Sequence, residues 1–278
     1  MALVAIIGAG PLGGAVASTL AQHGRAAEVR LIDPAGRIAD GKALDIQQSS
    51  GIQRFSARVT GATDVEAAAG ADVIAFADLA GKGDIAGEDG LAIVRQVARL
   101  DSSAPLLFCG SQLELMKRAL GELHVAPMRL VGSAALALES AVRAIAAALI
   151  DASPKDVSIG IAGVPPKDLV IAWDAATVFH QPIARVLAPH HLAALSSRIA
   201  GLWPPGPYAL ASAAARVADA LAFGSRRRFT CFAALDLPGA GRGLIAAVPV
   251  EIRRGEIAAV LEPALSRRER TLFENGLR

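Results

Sequence analysis

The sequence has only two cysteines, almost no net charge, and no apolar run long enough to span a membrane. Cys109 and Cys231 lie in apolar, strand-like runs, which predicts buried free thiols in a reducing compartment rather than a disulfide or a nucleophile. The formal net charge of +2 is too small to indicate a nucleic-acid partner. The N-terminus also lacks the basic region of a signal peptide. These absences together predict a cytoplasmic protein with no nucleic-acid or membrane partner.

The length and composition are typical of an enzyme-sized globular protein. A chain of 278 residues can form two domains, or one large one, around an extensive core. Much of the 53% apolar content is alanine, which favours helices more than membrane insertion. The basic triplet Arg226-Arg227-Arg228 is predicted to be a solvated turn between a helix and a strand. No group of Cys, His and Asp has metal-ligand spacing, so no metal site is expected.

A glycine pattern near the N-terminus carries the strongest functional signal. Residues 8–13 read Gly-Ala-Gly-Pro-Leu-Gly and directly follow the apolar run 3–7. Asp33 closes a second apolar run, 20 residues after Gly13. A strand, a glycine turn, a helix and a second strand that ends in an acid form the dinucleotide-binding fingerprint.

Each position of the fingerprint has a physical role. Gly8 permits the tight turn, Gly10 lets the backbone approach the pyrophosphate, and Gly13 lets the helix pack close to its strand. The N–H groups at the start of the helix then face the phosphates. The Asp33 carboxylate can accept hydrogen bonds from both hydroxyls of the adenosine ribose and would repel a 2′-phosphate, so the cofactor is predicted to be NAD. The expected cofactor-binding residues are Gly8, Gly10, Pro11, Leu12, Gly13, Asp33 and Ser111.

The order of strand and helix patterns predicts an α/β fold. Six apolar runs in the first half alternate with helical patterns, as in a doubly wound parallel Rossmann sheet. Residues 1–133 are therefore predicted to be the NAD-binding domain. Residues 134–278 begin with an alanine-rich helix and continue with strands and helices in blocks, which indicates an α+β domain. The strand runs are 3–7, 29–32, 57–60, 72–76, 105–109, 128–131, 157–162, 169–173, 229–235, 244–252 and 257–261.

Motifs beyond the fingerprint resemble those of the lactate/malate dehydrogenase family, in particular its bacterial malate dehydrogenase branch. The matching segments are residues 41–46, 49–50, 60–64, 70–74, 208–222 and 248–252. The resemblance implies a Rossmann domain followed by a family-type substrate domain, with NAD as cofactor and a homodimer or homotetramer as the assembly. It also implies a small-molecule substrate bound between the domains.

The positions that carry chemistry in that family differ in this sequence. Pro165 stands where the family's catalytic histidine is expected, and proline carries no proton for acid–base exchange. The arginine that holds the substrate carboxylate in the family falls on Ala141 or Val142. Arg143 is adjacent, but one residue along a helix rotates a side chain by about 100°. Glu139 takes the place of the family's aspartate.

Two further family motifs are also altered. The mobile loop, which supplies arginines in the family, becomes residues 80–88 and keeps only Lys82 as a cation. The family's Asn-Pro pair becomes Ser111-Gln112. The remaining candidates for chemistry are Lys167, Asp168, Arg143 and Lys82.

Three hypotheses for the function follow. The first is an NAD-binding homologue that has lost catalysis on 2-hydroxy acids, so that it is a pseudoenzyme. The second is an NAD-dependent oxidoreductase that acts on the CH–OH group of a less anionic substrate. The third is a structural subunit with a vestigial cofactor site.

Overall fold

The computed structural model describes residues 2–100, 103–236 and 244–277. Its strands are β1 (Ala2–Ile7), β2 (Ala26–Ile32), β3 (Arg58–Ala62), β4 (Val73–Phe76), β5 (Asp78–Leu79), β6 (Gly83–Asp84), β7 (Leu106–Phe108), β8 (Leu130–Gly132), β9 (Val157–Ser158), β10 (Ile161–Val164), β11 (Asp168–Ile171), β12 (Thr177–Val178), β13 (Gln181–Pro182), β14 (Arg228–Ala234), β15 (Ile245–Arg253) and β16 (Glu256–Val260). Its helices are α1 (Pro11–His23), α2 (Gly36–Gln48), α3 (Ser50–Gln53), α4 (Gly87–Ala98), α5 (Leu113–Gly121), α6 (Ala134–Leu149), α7 (Pro189–Ile199), α8 (Pro207–Phe223) and α9 (Arg267–Gly276).

The first half forms the doubly wound parallel sheet that the sequence predicts. Its strand order is β3-β2-β1-β4-β7-β8, and every neighbouring pair is parallel. The order reverses between β1 and β4, where Ile7 pairs with Phe76. Ligands of such sheets bind beyond the carboxyl ends of the strands at this reversal. The segments that follow Ile7 and Phe76 are therefore neighbours at the expected ligand site.

The second half adds antiparallel strands to the same sheet. Phe232 of β14 pairs with Gly132 of β8, and the sheet then continues through β15, β10 and β11. These pairings confirm the antiparallel strands expected after residue 134. The domain boundary after residue 133 stays a prediction, and one sheet of 11 strands crosses it.

One strand predicted as continuous is wrong, because the structure divides it in two. The apolar run 157–162 divides into β9, which pairs with β12 in a three-stranded sheet, and β10, which joins the main sheet. Gly160 stands between the two, where the chain passes from one sheet to the other. A glycine inside an apolar run often marks such a break.

Helix α8 ties the halves together beneath the sheet. It packs along α1, and the Asp219 carboxylate lies 2.7 Å from Nδ1 of His23, the last residue of α1. The main apolar core includes residues of both halves, among them the stacked rings of Phe76 and Phe108. A smaller cluster packs α6 and α7 against β9 and β12. The sheet edge that carries the candidate site therefore rests on a rigid support.

The basic triplet lies at the junction of α8 and β14. Arg226 and Arg227 are exposed in the turn between α8 and β14, as predicted, and Arg228 begins the strand.

Both cysteines are buried and unpaired, and burial raises the pKa of each thiol. Within the described ranges, no helix has the length and apolar character of a membrane span. The same ranges hold no group of three His, Cys, Asp or Glu side chains that could bind a metal ion.

Candidate dinucleotide site

The glycine turn between β1 and α1 has the tight geometry that its sequence predicts. Gly8 has φ +105°, and a Cβ atom there would lie 2.3 Å from the carbonyl oxygen of Asp78. A Cβ atom on Gly13 would lie 2.0 Å from the carbonyl oxygen of Gly8. Only glycine fits at these two positions, because the left-handed φ and both close approaches exclude a side chain. The predicted roles of Gly8 and Gly13 agree with this geometry.

The carboxylate of Asp78 occupies the N-terminus of α1. Its Oδ1 accepts a hydrogen bond from the N–H of Gly13 at 2.8 Å, and its Oδ2 accepts one from Leu12 at 3.1 Å. The side chain is buried, and a Cβ atom on Gly10 would lie only 2.4 Å from its Cγ. These N–H groups are the donors that the fingerprint offers to a phosphate. The space left free by Gly10 is thus filled by a carboxylate of the same chain.

The fingerprint acid Asp33 is engaged by backbone on both oxygens. Oδ2 accepts from the N–H groups of Ala9 at 2.8 Å and Ala80 at 2.9 Å, and Oδ1 accepts from Ala35 at 2.8 Å. Asp33 is only 1% exposed. A carboxylate has about four acceptor positions, so the backbone takes three of them. In this conformation Asp33 has room for one ribose hydroxyl, not for the two expected from the sequence.

The glycine-rich loop after β4 is a short hairpin. Strands β5 and β6 pair Asp78 with Asp84 and Leu79 with Gly83. We name residues 78–84 the 78–84 hairpin. The sequence predicts only the family's loop at residues 80–88 and not a hairpin, because a two-residue ladder has no hydrophobic periodicity.

Ser111 and Gln112, which follow β7, hold the 78–84 hairpin in place through hydrogen bonds. The Ser111 hydroxyl donates to Oδ2 of Asp84 at 2.9 Å. The buried Gln112 side chain donates to the carbonyl oxygens of Ala77 at 2.9 Å and Ile85 at 3.3 Å. Contact of Ser111 with a cofactor stays a prediction, since its hydroxyl is engaged with Asp84 in this structure. Gln112 is a structural tether that the sequence did not reveal.

Lys42 is a second residue near the glycine turn that sequence reasoning missed. It lies on α2, and its Nζ donates to the carbonyl oxygen of Gly10 at 2.7 Å. It brings a positive charge to the turn. In the sequence, residues 41–46 stand out only through their family resemblance. A lysine on a neighbouring helix gives no local signal of this contact.

The four candidates for chemistry do not form a cluster. Lys82 is exposed in the 78–84 hairpin, and Lys167 and Asp168 are exposed where β10 turns into β11. Arg143 on α6 donates to Glu139 at 2.6 Å. Among the residues that the structure describes, no hydrogen bond or ion pair links any two of these four side chains.

Arg143 and Glu139 belong to a different region from the glycine turn. They line a cavity of about 780 Å³ between α6, α8, β9 and β14, together with Arg216, Arg227 and Thr230. Glu139 also accepts a hydrogen bond from Thr230, and burial raises the pKa of its carboxyl. The lining of this cavity includes neither the fingerprint residues nor the turn at Pro165. Arg143 is therefore not directed at the candidate dinucleotide site, as its helical position predicts.

The backbone N–H donors of the glycine turn are suited to the phosphates of a dinucleotide. It already binds one anion, the Asp78 carboxylate, through two N–H groups, and it has the Gly10 gap and the Asp33 acid. A pyrophosphate could not share the turn with Asp78, because two like charges about 4 Å apart repel by about 4 kcal/mol at an effective dielectric constant of about 20. The residues fit the cofactor once Asp78 has moved away.

Comparison with known proteins identifies this architecture. Residues 2–98 match the family description "lactate/malate dehydrogenase, NAD binding domain". The malate dehydrogenase of Roseobacter denitrificans is 30% identical, over 99% of this chain and 93% of that protein. The malate dehydrogenase structure from Salinibacter ruber is 25% identical and has a TM-score of 0.85, over 99% of this chain and 93% of that one.

A second solved structure supports the fold alone. The lactate dehydrogenase of Cryptosporidium parvum, solved with lactic acid and NAD, is 21% identical, with a TM-score of 0.87 over 99% of this chain and 94% of that one. The sheet order, the glycine turn and the full-length similarity lead to one conclusion: this chain belongs to the lactate/malate dehydrogenase family, and its residues 2–98 match the NAD-binding domain of that family.

Proposed function

We propose that this chain is an NAD-binding member of its family that does not turn over malate or lactate at a useful rate. The observation that carries the proposal is the turn from β10 to β11, where Pro165 is buried at the position that the motif resemblance assigns to the family's catalytic histidine. Proline has no group that can take up or release a proton. The neighbouring Lys167 and Asp168 are exposed.

The anionic end of a 2-hydroxy acid also lacks its partner. Arg143 is held by Glu139 at 2.6 Å in a separate cavity, and Lys82 is exposed at the tip of the 78–84 hairpin. A bidentate arginine is the residue best suited to a carboxylate. Losing a general acid–base group costs about 10²–10⁴-fold in rate, and losing a buried charge-pair anchor costs about 2–5 kcal/mol in addition.

We expect the purified protein to oxidise malate and lactate, and to reduce oxaloacetate and pyruvate, with kcat/KM below about 10⁴ M⁻¹s⁻¹, the lower end for ordinary enzymes. Following NADH absorbance in a steady-state assay measures this directly. Pro165→His restores a proton carrier without restoring the arginine, so it should leave the rate low. A wild-type value above the threshold would refute the loss of catalysis.

A second candidate function is an NAD-dependent oxidoreductase for a CH–OH group on a less anionic substrate. Lys167, Asp168 and Ser111 could supply the proton transfer in that case. The observation in its favour is that Lys167 makes no hydrogen bond or ion pair with the rest of the described chain. A screen of uncharged alcohols with NAD, repeated with Lys167→Met, separates this candidate from the first.

The third candidate, a structural subunit, is tested by calorimetric titration with NADH. Detectable binding eliminates a vestigial site. No binding at millimolar NADH, either to the wild-type chain or to the variants described below, would favour the structural role over the first two.

We further propose that the chain assembles as a homodimer or homotetramer in the cytoplasm. The family resemblance is the basis of this proposal, and three exposed apolar side chains on α2 and α3 are available for a contact: Ile38, Leu44 and Ile52 are 44%, 59% and 84% exposed. Light scattering after size exclusion gives the mass. The two buried free thiols are consistent with a reducing compartment.

A further inference from the structure

We propose that the 78–84 hairpin is an intramolecular plug of the dinucleotide site, which a cofactor must displace in order to bind. This inference rests on the proposed function, since it concerns the same NAD site. It assigns the role of the competing anion to Asp78, a residue outside the glycine fingerprint.

The first contact of the plug is made by Asp78 with the phosphate-binding turn. Its two carboxylate oxygens accept the N–H groups of Gly13 at 2.8 Å and Leu12 at 3.1 Å. A phosphate oxygen would accept the same donors, because they lie at the positive end of α1. Asp78 is 6% exposed, so water does not compete for this contact. The carboxylate and a pyrophosphate therefore exclude each other by both space and charge.

The second contact of the plug is made with Asp33, next to the glycine turn. The N–H of Ala80, two residues after Asp78, donates to Oδ2 of Asp33 at 2.9 Å. Asp33 is the acid that the fingerprint assigns to the adenosine ribose. One short segment thus engages both the phosphate-binding and the ribose-binding elements. The two contacts together engage the turn and the acid that the fingerprint assigns to the adenosine half of a dinucleotide.

The plug is fastened on its outer side. The ladder between β5 and β6 joins Asp78 to Asp84, and Ser111 donates to Asp84 at 2.9 Å. Gln112 holds the segment after the hairpin through the carbonyl oxygen of Ile85. Asp84 is exposed and touches neither the glycine turn nor Asp33. A change at Asp84 can therefore loosen the plug without altering the glycine turn or Asp33, and it also frees the hydroxyl of Ser111, a predicted cofactor contact.

The affinity for a dinucleotide should depend on how often the plug is open. The apparent dissociation constant equals the intrinsic constant divided by the fraction of molecules in the competent state. Asp78→Asn removes the negative charge and replaces one acceptor oxygen by an amide donor that faces other donors. Asp78→Ala removes both acceptors. Either change favours the open state and also abolishes repulsion of the pyrophosphate.

The test is calorimetric titration of the full chain with NADH for the wild-type protein, Asp78→Asn, Asp78→Ala and Asp84→Ala. Asp64→Asn is the matched control, because Asp64 is exposed and its side chain does not cap the turn that follows. We expect at least about a tenfold lower Kd for both Asp78 variants and a smaller gain, about threefold, for Asp84→Ala. Asp64→Asn should leave the Kd within about twofold of wild type.

The outcomes separate this inference from the proposed function. Tight wild-type binding with no gain in any variant would overturn the plug but leave NAD binding intact. No binding in any protein, including the Asp78 variants with a normal melting temperature, would overturn both. If the Asp78 variants fail to fold, Asp84→Ala and Ser111→Ala decide together, because both break the bond that fastens the hairpin and only Asp84→Ala frees a hydroxyl for the cofactor. A lower Kd in both variants supports the plug, and an unchanged Kd in Ser111→Ala refutes it.

Discussion

At the residue scale, the candidate site depends on the space beside Gly10 and on the Asp78 carboxylate that fills it. Gly10 leaves a space in which a Cβ atom would lie 2.4 Å from the carboxyl carbon of Asp78. The glycine is thus needed in this conformation for the Asp78 carboxylate, and not only for the approach of a pyrophosphate. Two residues 68 positions apart in the sequence therefore depend on each other.

We expect Gly10→Ala to destabilise the wild-type chain more than it destabilises Asp78→Ala, because the added methyl group meets the carboxylate only when Asp78 is present. The coupling energy between neighbours of this kind is about 0.5–3 kcal/mol. Urea unfolding of the two single variants and the double variant measures it. Additive effects would show that Asp78 does not fill the Gly10 gap in solution.

The two cysteines give a second prediction at this scale. Cys109 and Cys231 are fully buried, and burial raises the pKa of both thiols. Since only the thiolate reacts, we expect neither to be modified by a disulfide reagent at about pH 8 until the chain unfolds. Absorbance after addition of the reagent, with and without denaturant, counts the reactive thiols. Rapid modification of the native chain would contradict this assignment.

At the element scale, local signals in the sequence predict most helices and strands. Helix α1 begins at Pro11, the first position where proline suits a helix, and ends at His23 before Gly24 in the left-handed region. Short runs rich in apolar residues mark the parallel strands. The β5–β6 ladder escapes prediction because its pairing depends on tertiary contacts with Ser111 and Asp33.

Helix α9 provides a stability test at this scale. Ser266 caps it in a capping box with Glu269, whose carboxylate accepts from both the N–H and the hydroxyl of Ser266. We expect Ser266→Ala to lower the free energy of unfolding by about 1 kcal/mol. Ser197→Ala, at an exposed position inside α7, should change it by less than about 0.5 kcal/mol. Equal effects of the two changes in denaturant titrations would show that the Ser266 cap does not stabilise α9.

At the scale of the whole molecule, the sheet and the core join the two halves of the chain. Strand β14 pairs with β8, and α8 packs on α1. Trp203 in the second half meets the ring of Phe232 edge to face, within the core that also holds β1 and β4. The halves therefore share much of the apolar surface that stabilises each of them.

We expect both halves to unfold in one cooperative transition. Tryptophan fluorescence reports on the surroundings of Trp173 and Trp203, both in the second half of the chain, whereas circular dichroism reports on all helices and strands. Coincident midpoints of the two signals in urea are the expected result. Separate midpoints would mean that the two predicted domains are independently stable.

The sequence by itself determined the family, the presence of a doubly wound parallel sheet and the residues of the glycine turn. These follow from local periodicity, from the special conformations of glycine and proline, and from motifs contiguous in the chain. Tertiary structure alone decided that Asp78 caps α1, that Asp33 is held by three backbone N–H groups, and that Arg143 pairs with Glu139 away from the turn. These contacts join segments far apart in sequence or depend on where a helix face points, so no local pattern encodes them.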